Sequence, residues 1–306
     1  MLDTLSYILP FSLYEGLVYG FVAIGVYLTF RVLGFPDLTV DGSFVLGGAV
    51  AAVLIADHGM NPFLATLAAL GAGLCAGLAT SLLNTKLRIP ALLAGILMMA
   101  ALYPINLKVM GGAAHVPLRL KVTIFDQVSE FLGMENDTTL SLIVAGVLAV
   151  IVFFILNWFL RTEIGLALRA TGDNEQMVRG FGVNTDMTTI LGVSISNGLV
   201  ALGGAVVAQG QEFTDAGMGV GMIVIGLASV IIGEALFRPK GVARLLLAVL
   251  GGTFIYRLVI SVALRIPWVD PKDLKLITAI LVIIALAVPY IQKRAQHEWL
   301  PPAARW

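Results

Sequence analysis

Runs of roughly twenty apolar residues recur along this chain, and about that length is what a helix needs to cross some 30 Å of hydrocarbon. Full-length runs lie at about 10–33, 63–84, 90–110, 139–160, 187–209, 219–237, 243–264 and 274–291. A shorter one, about 43–56, follows the polar stretch 35–43, and its length predicts a half-buried or broken second helix. Composition agrees: 58% of the 306 residues are hydrophobic and 12% charged, where a soluble domain carries about 25% charge. The expected fold is an all-α polytopic membrane protein with eight full spans and one short one, forming a single transmembrane domain over 1–306.

Charge placement orients the spans. Lys86 and Arg88, then Arg161, Arg169 and Arg179, then Arg238, Lys240 and Arg244, and the tail residues Lys293, Arg294 and Arg305 fall on one side when the spans are counted as above. With Arg31 they make twelve of the nineteen Lys and Arg. Cytoplasmic connections are enriched in these residues, so that side is expected to be cytoplasmic, with the N-terminus outside and the C-terminus inside. The start, Met1-Leu2-Asp3-Thr4, has no basic segment, and no cleaved signal peptide is expected. The opposite connections hold His58, Asp126, Glu130, Glu135, Asp137, Glu212, Asp215 and Asp270. The longest of them, the outer loop 111–138, is expected to hold a short surface helix or strand, with docking of an external partner and a plain loop both open.

One basic connection, 161–186, is long and patterned. Asp173 followed by Gln176 has the spacing of a capping box, Glu175 suits the positive end of a helix dipole, and Gly180 and Gly182 are helix terminators. A short helix over about 174–181 is expected, with Met177, Val178 and Phe181 on its apolar face.

Here the chain resembles a family. Ile-Gly-Leu-Ala-Leu-Arg-Ala-Thr-Gly-Asp-Asn (164–174) and Gly-Phe-Gly-Val-Asn-Thr (180–185) are similar to the coupling loop of permeases in the branched-chain amino acid class of ABC importers. The segment 25–44, Gly-Val-Tyr-Leu-Thr-Phe-Arg-Val-Leu-Gly-Phe-Pro-Asp-Leu-Thr-Val-Asp-Gly-Ser-Phe, resembles the tryptophan/tyrosine-type ABC permease sub-family, as do 231–237, 256–258 and 273–279. The resemblance implies an importer subunit in the bacterial inner membrane, working as a dimer, with a homodimer expected. It implies two ATPase subunits, which would bind the ATP and Mg, and an extracytoplasmic solute-binding protein. Gly165, Arg169, Ala170, Thr171, Gly172, Asp173, Asn174 and Glu175 would contact the ATPase, and the solute would be small and amino acid-like.

Polar residues within apolar runs need a partner or a wet cavity. Arg257 is open to three readings: a substrate carboxylate, an ion pair with Glu15 or Glu212, or an outward-reaching side chain. Asp37, Thr39, Asp41 and Ser43 precede the short second segment, where irregular backbone is tolerated beside a cavity. They are candidates for the substrate path. Equally, Asp41 or Ser43 would cap helix 43–56 while Asp37 forms the turn after Pro36. Asn106, Asn197 and Gln209 suit interhelical hydrogen bonds, and Asn106 and Asn197 are also candidates for the path. Glu234 and Arg238 have the spacing of an i,i+4 ion pair. Gly16-x-x-x-Gly20 and Gly73-x-x-x-Gly77 suit close helix contacts, and the lone Cys75 is expected in the core.

Several function classes are disfavoured. No phosphate-cradling Gly-x-x-x-x-Gly-Lys-Ser/Thr is present, so no cofactor is expected in this chain. His58, His115 and His297 with one Cys give no metal spacing. Neither a hydrolase catalytic set nor a basic, aromatic-rich patch for nucleic acid is seen. The alternatives are a secondary transporter or channel needing no ATPase, which predicts an inverted repeat not evident here, and an intramembrane enzyme.

Overall fold

The computed structural model describes residues 2–134 and 137–265, together with Leu276, Ile277, Ala279, Ile280 and Ile283. Apart from those five positions the expected last span, 274–291, and the basic tail lie outside the described residues. The protein is an all-α polytopic membrane protein. Its helices are α1 (Leu2–Val26), continued by a π-helical turn (Tyr27–Val32), α2 (Thr39–Ala56), α3 (Pro62–Thr85), α4 (Ala91–Val109), α5 (Ile124–Leu132), α6 (Thr138–Phe159), α7 (Glu163–Asp173), α8 (Glu175–Gly180), α9 (Thr185–Gln211), α10 (Met222–Phe237) and α11 (Val242–Ala263). Two three-residue strands, β1 (His115–Pro117) and β2 (Phe213–Asp215), pair antiparallel with Val116 opposite Thr214.

Local chemistry sets the starts of these helices. Asn61 caps α3 by accepting from the Phe63 amide, with Pro62 at the first helical position, and Asp137, Thr162, Asn174 and Asn184 cap α6, α7, α8 and α9. Each cap satisfies a backbone donor that the helix cannot, at about 1 kcal/mol. α5 opens with a capping box, Thr123 and Asp126 exchanging hydrogen bonds.

Seven helices among the described residues are long and apolar enough to cross a membrane, and α10 is a shorter apolar one of 16 residues. Two expectations are corrected here. The second span is a full 18-residue helix beginning at Thr39, so Thr39, Asp41 and Ser43 lie inside it rather than before it. The short helix is α10 instead. After β2 the chain turns back along α2: a Cβ on Gly48 would lie 2.8 Å from Thr214 Oγ1, and one on Gly219 would overlap the Asp41 carbonyl. α10 therefore starts at the level of Asp41, within the bundle, and at about 1.5 Å per residue it spans about 24 Å.

The ends of the spans sort onto two faces. On one, Lys86 lies 3.9 Å from Asp186 and Arg31 lies 2.9 Å from Glu234. On the other, β1 meets β2, Lys121 Nζ donates to the Ala56 carbonyl at 2.7 Å, and Ser12 donates to Ser261 at 3.0 Å. The basic connections 86–90, 161–184 and 238–241 share the first face, as the charge count expects.

α1, α2 and α9 form the centre, and α3, α4, α6 and α11 present apolar side chains outward. In lipid the burial of apolar groups drives helices together weakly, and close packing of small residues does much of the work. A Cβ on Gly47 would overlap the Ala201 carbonyl of α9, and one on Gly204 the Phe44 carbonyl of α2. Gly73 and Gly77 meet the Asn197 and Val193 carbonyls in the same way, and Gly16 and Gly20 meet Phe254 and Leu250 of α11. Cys75 is exposed on α3, not in the core. Forcing side chains into such contacts costs about 1–3 kcal/mol. Gly47→Val and Gly204→Val are accordingly expected to lower the thermal midpoint of the detergent-purified protein, whereas Gly146→Val, where a Cβ meets open space, should leave it unchanged.

Candidate functional site

Two regions collect the polar residues singled out above. The first is a knot at the junction of α2, α3 and α9. Asp37 is fully buried and accepts from the Thr39 amide at 2.9 Å and from Asn197 Nδ2 at 2.6 Å. Asn197 Oδ1 in turn accepts from Ser43 Oγ at 2.7 Å. Thr39 Oγ1 and Thr80 Oγ1 lie 2.9 Å apart, tying in α3. Asn106 of α4 donates to the Gly42 carbonyl at 3.1 Å, while its own Oδ1 is buried with no partner. Asp37 thus caps the start of α2 and grips α9 with one carboxylate. Burying Asp37, Ser43 and Asn197 is tolerable because each finds a partner.

Asp41 does something different. Its two oxygens accept from the amides of Gly221 at 3.0 Å and Ile223 at 2.8 Å, at the start of α10. A carboxylate there satisfies donors that the helix leaves open and complements its dipole. It caps a helix 180 residues away, not its own. Near the opposite face Gln209 joins Thr66 of α3 to the Ile124 amide of α5, which is the interhelical role expected of it.

Arg257 stands apart from the knot. Its guanidinium lies 3.3 Å from the centroid of the Tyr19 ring, a cation–π geometry, and Nη1 is 3.7 Å from Glu15 Oε2. Of the partners considered, Glu15 is the one found; Glu212 ends α9 in a left-handed conformation on the loop side. Tyr19 stacks on Phe44, so Arg257 is linked to α2 through two rings. Arg257 Nε is buried without a hydrogen-bond partner.

Of the candidates for the substrate path, Asp37, Thr39, Ser43, Asn106 and Asn197 are all buried and bridge helices. Asp41 and Arg257 alone keep partial exposure.

The second region is the basic face between α6 and α9. Thr162 caps α7 by accepting from the Gly165 amide at 3.2 Å. Gly165 and Thr171 are buried, and Thr171 Oγ1 lies 2.9 Å from Thr188 Oγ1 of α9. Gly172 seats on the π-helical turn, where a Cβ would overlap the Val32 carbonyl. Arg169 and Ala170 are half-buried, and Asp173, Asn174 and Glu175 are exposed. The cap of the second helix is Asn174, which accepts from the Met177 amide at 3.0 Å, and not Asp173, which is the last residue of α7. Arg179 binds Glu175 at 2.6 Å, Asp186 at 3.5 Å and the Thr185 hydroxyl, fixing α8 against the start of α9. Ile164, Leu166, Met177 and Phe181 are all more than half exposed. Ile164 and Leu166 escaped notice because α7 was not resolved from the sequence; Thr162 followed by Glu163 is the capping signal that marks its start.

Glu234 pairs with Arg31 at 2.9 Å and not with Arg238. Arg238 ends α10 in a left-handed conformation, which turns its side chain out of helical register.

The groups in the knot set up a direct test. Asn197→Leu leaves the buried Asp37 carboxylate without its amide and Ser43 without an acceptor, a loss of about 1–3 kcal/mol or more for a charged group. Its thermal midpoint should fall well below that of Asn61→Ala, which removes only an exposed cap.

Comparison with known proteins places this geometry. Residues 8–287 match the family described as branched-chain amino acid transport system / permease component. The chain is 39% identical over 273 residues to a tyrosine transport system permease protein of Clostridioides difficile, covering 89% of this chain and 88% of that one. It is 33% identical over 284 residues to an uncharacterized protein of Rickettsia prowazekii, covering 92% and 97%. With the autoinducer 2 import system permease protein of Salmonella typhimurium it shares 31% identity over 242 residues, 76% of this chain and 65% of the other. No solved structure matches the chain. The chain belongs to the branched-chain amino acid transport system permease family.

Proposed function

We propose that this permease is the translocating subunit of a binding-protein-dependent ABC importer in the bacterial inner membrane. Its N-terminus would lie outside and its C-terminus in the cytoplasm. Two copies would form the path, two ATPase subunits would dock on the α7–α8 face and bind ATP and Mg, and a solute-binding protein would deliver cargo to the opposite face. The observation that carries the reading is the α7–α8 unit. It projects two short helices on the basic face, shows Ile164, Leu166, Met177 and Phe181 outward, and seats its inner side on the π-helical turn of α1 through Gly172. π-helical turns occur often at functional positions. A push on α8 would reach α1 at Val32 and, through Arg31 and Glu234, the far end of α10. ATPase closure would thereby switch the path between the two faces.

The cargo proposed is a small amino acid-like solute, and an aromatic one is favoured by the identity with a permease named for tyrosine. Asp41 and Arg257 are the charged candidates for the path, because each keeps partial exposure. The five buried polar residues would brace the helices that move. Asp173, Asn174 and Glu175 would touch the ATPase directly, and Arg169 and Ala170 at its margin. Gly165, Thr171 and Gly172 would act by seating α7.

Buried aromatic anchors carry much of an interface's energy, and losing one costs at least about 2 kcal/mol, some thirtyfold in affinity. In co-expression with the neighbouring ATPase, Phe181→Glu is expected to abolish co-purification while leaving the permease monodisperse. An unmodified permease that never co-purifies with that ATPase would sink the proposal.

A further inference from the structure

The link between α10 and α11 encloses a feature that transport does not explain. A groove of about 510 Å³ lies there, lined by Phe237, Arg238, Pro239, Lys240, Arg244, Leu247 and Ala248. Its chemistry is divided by height. Leu247 and Ala248 lie three and four residues after Arg244, and Gly251 four and three after them, so all four share one face of α11. At the deeper end Phe237 packs over Gly251, where a Cβ would lie 2.8 Å from its ring. Leu247 and Phe237 are exposed there. At the other end, where α10 finishes and α11 begins, stand three cations, Arg238, Lys240 and Arg244.

None of those cations has an ion-pair partner among the described residues, although carboxylates are near. Glu234, one turn from Arg238, is held by Arg31. Arg238 ends α10 with a left-handed backbone (φ 39°), and Gly241 (φ 92°) lets α11 start after the four-residue link 238–241. Three like charges thus line one end of a groove whose other end is apolar. A cluster of like charges with no carboxylate among them attracts an anion.

We propose that this groove binds an anionic phospholipid, its phosphate among Arg238, Lys240 and Arg244 and an acyl chain along Leu247 and Phe237. Positive clusters beside a span attract anionic lipid at about fivefold in affinity per cation. The apolar slot supplies the second half of the match, and it is what separates this lipid from free phosphate. The assignment holds whichever way transport is powered.

Native mass spectrometry of the detergent-purified full chain, titrated with dioleoyl phosphatidylglycerol, tests it. The wild type should retain this lipid in preference to phosphatidylcholine, and millimolar inorganic phosphate should not displace it. Arg238→Ser with Lys240→Ser and Arg244→Ser should weaken retention by about 100-fold. Leu247→Trp fills the slot at an exposed position with every charge kept, and it should weaken retention as well. Equal retention of the two lipids, displacement by inorganic phosphate, or wild-type retention by either variant would overturn the assignment. So would a triple variant that keeps the lipid but loses the co-expressed ATPase, since the groove would then be a protein contact.

Discussion

The amide of Asn197 holds the centre of this molecule. One side of it donates to Asp37 and the other accepts from Ser43, at 2.6 and 2.7 Å, so a single side chain of α9 joins the bend before α2 to the second turn of that helix. Asp37 is fully buried, and a carboxylate there survives only with its partners in place. The glycines complete the arrangement. Gly47 and Gly204 let α2 and α9 touch backbone to backbone, and Gly73 and Gly77 bring α3 onto the same stretch of α9. Hydrogen bonds fix the register of the three helices, and the small residues supply the contact area that lipid does not drive.

Around this centre α10 is set in place by residues distant from it in sequence. α10 owes its short length to the stretch Ala216–Gly221, which folds back on α2, and its first turn is held by Asp41. Its last turn is held by Arg31, on the same π-helical turn that receives Gly172 from α7. Both ends of α10 are therefore tied to carboxylates or cations of other helices, not to neighbours in sequence. A displacement of α7 would act on the exposed, solvent-screened end at Arg31 and Glu234 before reaching the partly buried end at Asp41.

Much of this was legible before the structure. The spans at 63–84 and 187–209 differ from α3 and α9 by one or two residues at each end, because Asn61-Pro62 and Asn184-Thr185 mark the starts and the apolar runs mark the lengths. The close-packing glycines and the bridging Gln209 were also readable. What was not readable depends on distance in sequence. The Asp41–Gly221 and Arg31–Glu234 contacts join residues 180 and 203 apart. A local i,i+4 pairing for Glu234 was the only partner that spacing offers. α10 read as a full span because Met218, Val220 and Met222 carry the apolar run through the fold-back. Gly217, Gly219 and Gly221 were the available sign that the helix is interrupted. Cys75 was placed inside because hydropathy cannot distinguish a face toward lipid from a face toward protein. Asp173 and Asn174 are both good caps by type, and only the end of α7 decides between them.

ATP-driven transport from the α7–α8 face is the central claim, and uptake by proteoliposomes tests it most directly. Vesicles holding the permease with its ATPase, and supplied with the solute-binding protein, should accumulate the labelled solute that this binding protein carries, and only when ATP is enclosed on the ATPase side. Vanadate should stop the uptake, and permease alone under a proton or sodium gradient should show none. Uptake by the permease alone, driven by such a gradient and indifferent to ATP, would contradict the account.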